Sequence, residues 1–140
     1  MVYLILGILL CLLAALGFSR WESAQRKQKI KAAFAGRESR SPYQFYEAYF
    51  KHQGIHFEVV DGVRQILQEQ LNADMSCLTD SDDFSKNLRF FWDYDSMSEV
   101  EIVCALEKRF GITLSDVEAA NAHTVGDIVE LVWSKFTKTV

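Results

Sequence analysis

The chain has 140 residues, enough for one ordinary domain and an appendage, and its 49 % hydrophobic and 24 % charged content with a single proline is that of a globular protein. The net charge of −4 hides an asymmetry: residues 19–41 carry seven Lys/Arg against two Glu, whereas residues 42–140 carry eight Lys/Arg against seventeen Asp/Glu. An acidic domain excludes nucleic acid as a partner, since binding there needs cations facing phosphates, and suits a partner with a basic docking patch.

Val2 to Phe18 is an uninterrupted apolar run without a charge. At about 1.5 Å per residue it just crosses a hydrocarbon core of roughly 30 Å, with help from its ends. Tyr3 and Trp21 stand where interfacial aromatics are expected. The competing reading is a cleaved signal peptide, with Gly17-Phe18-Ser19 as the cleavage site. Against it, no Lys or Arg precedes the run, and Arg20, Arg26, Lys27, Lys29 and Lys31 follow it. The basic cluster puts the remainder of the chain on the cytoplasmic side of a cell membrane, in single-pass topology, and its charge also suits anionic headgroups. The organisation expected is an anchor at 1–19, a basic juxtamembrane linker at 20–41 and a folded domain at 42–140, with Ala32 to Ser41 as a tether.

Ser41-Pro42 opens a short helix with Ser as cap and Pro at the first helical position, and Gly54 stops it. Tyr43, Tyr46 and Phe50 step by three and four with Tyr49 beside them, which predicts an aromatic face docked on the domain. Phe57 to Leu71 is a second helix. Val59, Val60, Val63, Ile66, Leu67 and Leu71 form its buried face, and Glu58, Asp61, Arg64, Gln68 and Glu69 look outward. Asn72 to Tyr94 is long and mostly irregular, pinned to the core by Phe84, Leu88 and either Phe91 or Trp92. Its cluster of Asp80, Asp82 and Asp83 lacks the glycine and terminal glutamate of a calcium loop.

The next helix runs from Ser96 to Phe110, with Met97, Val100, Val103, Leu106 and Phe110 as its apolar face and Gly111 as its end. Glu99 and Glu101 lie near its start, where negative charge suits the helix dipole. Ser96 has two readings. It is a plain N-cap, as Asp-Ser before a helix usually is, or it carries a phosphate-linked group, which the amides and dipole of a helix N-terminus favour. The local residues do not choose between them. Ser115 or Asp116 caps a short turn through Ala122, and Thr124 caps a last helix in which Val125, Ile128, Val129, Val132 and Trp133 face inward. No strand pattern competes, so the fold class is all-α: a small helical bundle with an N-terminal transmembrane helix and an extra short helix before the bundle.

No catalytic constellation emerges. His52, His56 and His123 are isolated, and Cys11, Cys77 and Cys104 have neither CxxC nor metal spacing, with Cys104 expected as a core thiol. An acidic, all-helical, catalytically empty domain points to a carrier or binding module rather than an enzyme.

Asp95-Ser96-Met97, followed by Val100-Glu101-Ile102-Val103, Ala105-Leu106-Glu107 and Phe110-Gly111-Ile112, resembles the Asp-Ser-Leu helix of acyl carrier proteins. Leu114, Asp116 and Glu118-Ala119 resemble that family's loop and short third helix, and Thr124 to Val129 the start of its fourth. Val59 to Leu71 resembles its first helix, and Asp83-Phe84 to Leu88 its loop before the serine, so the likeness covers roughly residues 57–135. The resemblance implies covalent phosphopantetheine on Ser96, attached by a separate phosphopantetheinyl transferase, with Asp95 as the neighbouring acid. Its thiol would hold an acyl or aminoacyl group as a thioester. Glu99, Glu101 and Glu107 would present the acidic face read by acyl-activating and acyltransferase enzymes. The chain departs from the family where the usual Leu-Gly pair falls on Trp92-Asp93. The function expected is thus a membrane-anchored acyl carrier serving a lipid, polyketide-like or envelope pathway. A different class fits the same residues: an unmodified helical adaptor for a membrane protein, which would tolerate Ser96→Ala apart from a lost cap of about 1 kcal/mol.

Overall fold

A computed structural model describes residues 1–139. It divides into two compact units, Met1–Ala35 and Gly36–Val140. The first is a single helix, α1 (Val2–Ala33), with no buried residue. Its apolar side chains, from Leu4 and Ile5 to Leu16 and Phe18, are exposed, and it is long and apolar enough to cross a membrane by length and composition. The helix does not stop where the apolar run does. It continues through the basic segment, giving 32 residues and a length of about 48 Å.

The second unit is all helix and connection, with no strand among the described residues. Its helices are α2 (Pro42–Tyr49), α3 (Phe57–Leu71), α4 (Phe90–Tyr94), α5 (Ser98–Phe110), α6 (Asp116–Asn121) and α7 (Val125–Thr139). α3 is the centre: α2, α5 and α7 all pack on it. Val59, Val60, Val63 and Leu67 form its fully buried stripe, at the three- and four-residue steps that the sequence displays. Each such side chain contributes about 1.5–3 kcal/mol through burial. On α7 the stripe is Val125, Val129 and Val132. Gly62 leaves room for Phe110, whose Cζ would lie 2.7 Å from a Cβ at that position.

Helix ends follow the expected chemistry at four places. Ser41 and Gln44 form a capping box at α2, and Ser115 and Glu118 form one at α6. Thr124 Oγ1 accepts from the Asp127 amide at 3.0 Å while Asp127 Oδ2 accepts from the Thr124 amide at 3.1 Å. Gly111 closes α5 in the left-handed conformation at φ 62°.

Two faces differ from expectation. On α2 it is Phe45 that is driven inward, while Tyr43 is exposed and Phe50, just past the helix, is buried as expected; Tyr43 and Tyr46 instead cluster with Phe57. On α3, Arg64 is 7 % exposed rather than outward-facing. Its guanidinium donates to the Met75 carbonyl at 3.2 Å and the Arg40 carbonyl at 2.8 Å, and lies over the Phe45 ring at 5.0 Å. Period alone placed Arg64 on the solvent side; the chain on both sides of α2 and α3 folds over it and supplies acceptors that a helical wheel does not contain.

Those acceptors belong to a stitched strap. Arg37 Nη1 donates to Asp82 Oδ2 at 2.8 Å, and the Arg40 amide donates to the Ser76 carbonyl at 2.8 Å. Segment 37–40 is therefore bonded along the loop after α3.

Candidate functional site

The loop from Asn72 to Arg89 is irregular but tightly bonded. Asp82 accepts from Arg37, from the Thr79 amide at 2.8 Å and from Asn87 Nδ2 at 2.9 Å. Asp83 accepts from the Ser85 amide at 2.7 Å. The loop is fixed to the start of α7 by Phe84 N donating to the His123 carbonyl and Val125 N donating to the Asp82 carbonyl, both at 2.9 Å. Two of the three clustered aspartates are thus occupied in holding the loop, and no cluster of potential metal ligands occurs among the described residues. Phe84, Leu88 and Phe91 are buried and anchor the segment, as their apolar character predicts, with Trp92 half-buried beside them.

α4 brings the chain to Asp95, which is extended at φ −150°. A tight turn follows: Asp95 Oδ1 accepts from the Met97 amide at 3.0 Å, and the Asp95 carbonyl accepts from the Ser98 amide at 3.3 Å. α5 begins at Ser98, two residues later than expected. Ser96 is therefore not the N-cap. It is exposed on the turn, Met97 holds the cap position without a side-chain bond, and among the described residues the Ser96 hydroxyl has no hydrogen-bond partner. The physical reason is the shorter Asx-type bond of Asp95 to its own backbone two residues on, which makes a turn before the helix can start.

The face of α5 departs from the expected one in its first turn, although Leu106 is buried as expected. Ser98, Ile102 and Leu106 are buried, while Met97 and Val100 are 56 % and 53 % exposed. Cys104 is exposed and not a core thiol. Glu99 and Glu101 are exposed in the first turn. Glu107 stands apart: it is half-buried, and its Oε2 accepts from the Leu114 amide at 3.0 Å. The surface after Ser96 thus mixes two exposed apolar side chains with two carboxylates.

Behind α5 lies a cavity of about 340 Å³. Ile102, Val103 and Leu106 of α5 form one wall, Ile128 and Leu131 of α7 another, and Phe84 and Trp92 a third. Ser85, Arg89, Glu99 and His123 supply the polar lining. Size and lining are those of a site for a small, largely apolar ligand. Ser96 falls in the chain between two residues that line it, Trp92 and Glu99. Sequence reasoning missed this cavity, because α5, α7 and the loop supply its walls from separate parts of the chain. The only local signal was the small-residue wall opposite, Ala119, Ala120 and Ala122.

Ser96 thus presents an exposed hydroxyl with no cap bond just before a 13-residue helix. The amides and dipole of a helix N-terminus favour phosphate groups.

Comparison with known proteins shows the family. Residues 61–132 match the model of the phosphopantetheine attachment site family. An acyl carrier protein of Helicobacter pylori (strain G27) is 33 % identical over 72 residues, which is 51 % of this chain and 87 % of the relative. One from Acidothermus cellulolyticus is 35 % identical over 75 residues, 54 % of this chain and 84 % of the relative. The family match runs from within α3 to within α7; α1 and α2 lie outside it.

Proposed function

Since the chain belongs to the acyl carrier protein family, we propose that it is a membrane-anchored acyl carrier, with covalent phosphopantetheine on Ser96 and a fatty-acyl-type group as its cargo. Membership in that family supports a carrier rather than a catalyst, and implies a phosphopantetheinyl transferase and acyl-handling enzymes as partners. The observation that carries the assignment to Ser96 is its exposed hydroxyl, unengaged in capping, between two residues that line an apolar cavity.

The arm supplies the thiol on which cargo is held as a thioester. The chain's own residues do the rest. In attachment, the Ser96 hydroxyl gives up its proton to a base of the transferase as Oγ bonds to the phosphorus nearer the pantetheine, and the pyrophosphate bond of coenzyme A breaks to release adenosine 3′,5′-bisphosphate. Asp95, bonded to the Met97 amide, holds the turn that keeps this hydroxyl outward. Glu99 and Glu101 steer basic partner surfaces, and Met97 and Val100 give those partners apolar area to bury. Glu107 contributes less to that face because Leu114 occupies it. The cavity lining favours an apolar acyl chain over an aminoacyl group, whose ammonium would lose its water there.

α1 supports the membrane part of the reading. Its apolar run spans the bilayer, and Arg20 to Lys31 keep the carrier domain on the cytoplasmic side. Such an anchor raises the concentration of cargo seen by a membrane-bound acyltransferase.

The test is the intact mass of the full chain in detergent after incubation with coenzyme A and a broad-specificity phosphopantetheinyl transferase. A gain equal to the arm, absent in Ser96→Ala, supports the carrier. No gain in a folded protein, with a transferase from the native source also tried, would leave the adaptor as the better reading. Reporter fusions at the C-terminus test topology separately; an extracytoplasmic reporter would overturn the cytoplasmic placement.

A further inference from the structure

We propose that Trp92 sets the length of acyl chain that the cavity accepts. The inference rests on the carrier reading above and adds to it a residue that determines specificity. It starts from a departure in sequence, an indole four positions before the attachment serine, and from where the fold puts that indole.

Trp92 is a cavity wall. Its ring lies 5.3 Å from the Phe84 ring at an interplanar angle of 32°. Phe84 is itself buried, and its backbone is bonded to the His123 carbonyl at the head of α7. The indole is therefore backed by a fixed aromatic rather than hanging into solvent. Its position on α4 is set from the other side by Phe91, which is buried one residue earlier and packs on Phe84 at 6.4 Å. A side chain with two rotatable bonds, braced in this way, gives a wall that yields little to an incoming chain.

The rest of the lining cannot set the length so directly. The aliphatic residues of α5 and α7 belong to the packing of those helices on α3, so their positions are dictated by the core. Trp92 stands on a five-residue helix and has the largest side chain in the lining. The cavity is finite, about 340 Å³, so only part of a long acyl chain can enter it, and a methylene group takes about the volume of a liquid water molecule, roughly 30 Å³. Each methylene that enters favours the inserted state by roughly four-fold; carbons beyond the limit stay in water and gain nothing. An indole exceeds an isobutyl group by about 60 Å³, which is the share of about two methylenes.

The experiment uses the full chain in detergent micelles. A broad-specificity transferase loads it from acyl-coenzyme A thioesters of four to sixteen carbons, and the readout is the rate of thioester cleavage by hydroxylamine. In the wild type, protection is expected to rise with chain length and then level off. Trp92→Leu should move that plateau about two carbons longer, Trp92→Phe should move it less, and Trp133→Phe, outside the cavity, should leave it in place. Identical profiles for wild type and both Trp92 variants would overturn the proposal. Where Trp92→Leu does not fold, Trp92→Phe and the emission of Trp92 decide. In a Trp21→Phe/Trp133→Phe background that emission should shift between the four-carbon and ten-carbon loaded forms; an unchanged spectrum overturns the proposal. Absence of any mass gain on loading would sink the carrier reading and this one with it, whereas equal length profiles on loaded protein sink only this one.

Discussion

Arg37 reaches across 45 positions of sequence to hold the carboxylate of Asp82 at 2.8 Å. The two partners differ in environment, with the Arg37 side chain 29 % exposed and that of Asp82 only 2 %. Burial pushes the Asp82 carboxyl up, but the bonds from Arg37, the Thr79 amide and Asn87 outweigh it and hold the group below the usual carboxylate range. A folded-state pKa below the unfolded value, ~3.9, contributes stability that is complete above that value and is lost as pH falls through the folded one. Arg37→Met should therefore cost about 1–3 kcal/mol at neutral pH, discounted for the exposure of the arginine, and should shallow the loss of stability below pH ~4. Urea unfolding of the domain from Gly36 onward, at neutral and acid pH, checks both.

The same strap decides where the domain can be cut. A domain starting at Gly36 keeps Arg37 on Asp82 and the Arg40 carbonyl on Arg64, whereas one starting at Pro42 loses both. Each bond involves a charged group, and such bonds contribute about 1.5–3 kcal/mol. The shorter domain should be less stable by about 2–4 kcal/mol after water replaces part of what is lost. Equal midpoints in thermal melts of the two lengths would rule out an energetic role for the strap.

Ser96→Ala should leave stability within about 0.5 kcal/mol of the wild type, because the hydroxyl caps nothing. Attachment of the arm should be abolished. Melting curves and intact mass on the same sample separate the two effects; a loss near 1 kcal/mol would mean that Ser96 caps α5 after all.

Val100→Asp should also spare the fold, since Val100 is exposed, yet weaken binding to an acyl-handling partner mainly by faster dissociation. Glu101→Gln should instead slow association and reduce its dependence on salt. Surface plasmon resonance against a partner enzyme at two ionic strengths distinguishes the two.

Much of the scaffold was legible because its signals are local. α3 runs from Phe57 to Leu71 as its valine and leucine spacing predicts. The Thr124–Asp127 box and Gly111 mark helix ends in the expected places. Where sequence and fold part, the deciding partner was distant along the chain or a competing local bond. Arg64 turned inward because Arg40 and Met75 carry carbonyls to it. α5 started late because Asp95 bonded the Met97 amide first. The acids of the family motif were visible as residues, but only the fold separates Glu99 and Glu101, which face solvent, from Glu107, which is tied to Leu114. The cavity was invisible for the plainest reason: a void has no residue of its own.

The exposure of Cys104 on α5 changes how a loaded carrier must be assayed. A reagent that counts thiols to tell an empty arm from an acylated one will also react with this side chain and report a constant background. Replacing Cys104 with serine removes that signal at an exposed position, and leaves the arm's sulfur easier to follow. Left in place, the same thiol is a ready attachment point for a spectroscopic label on α5.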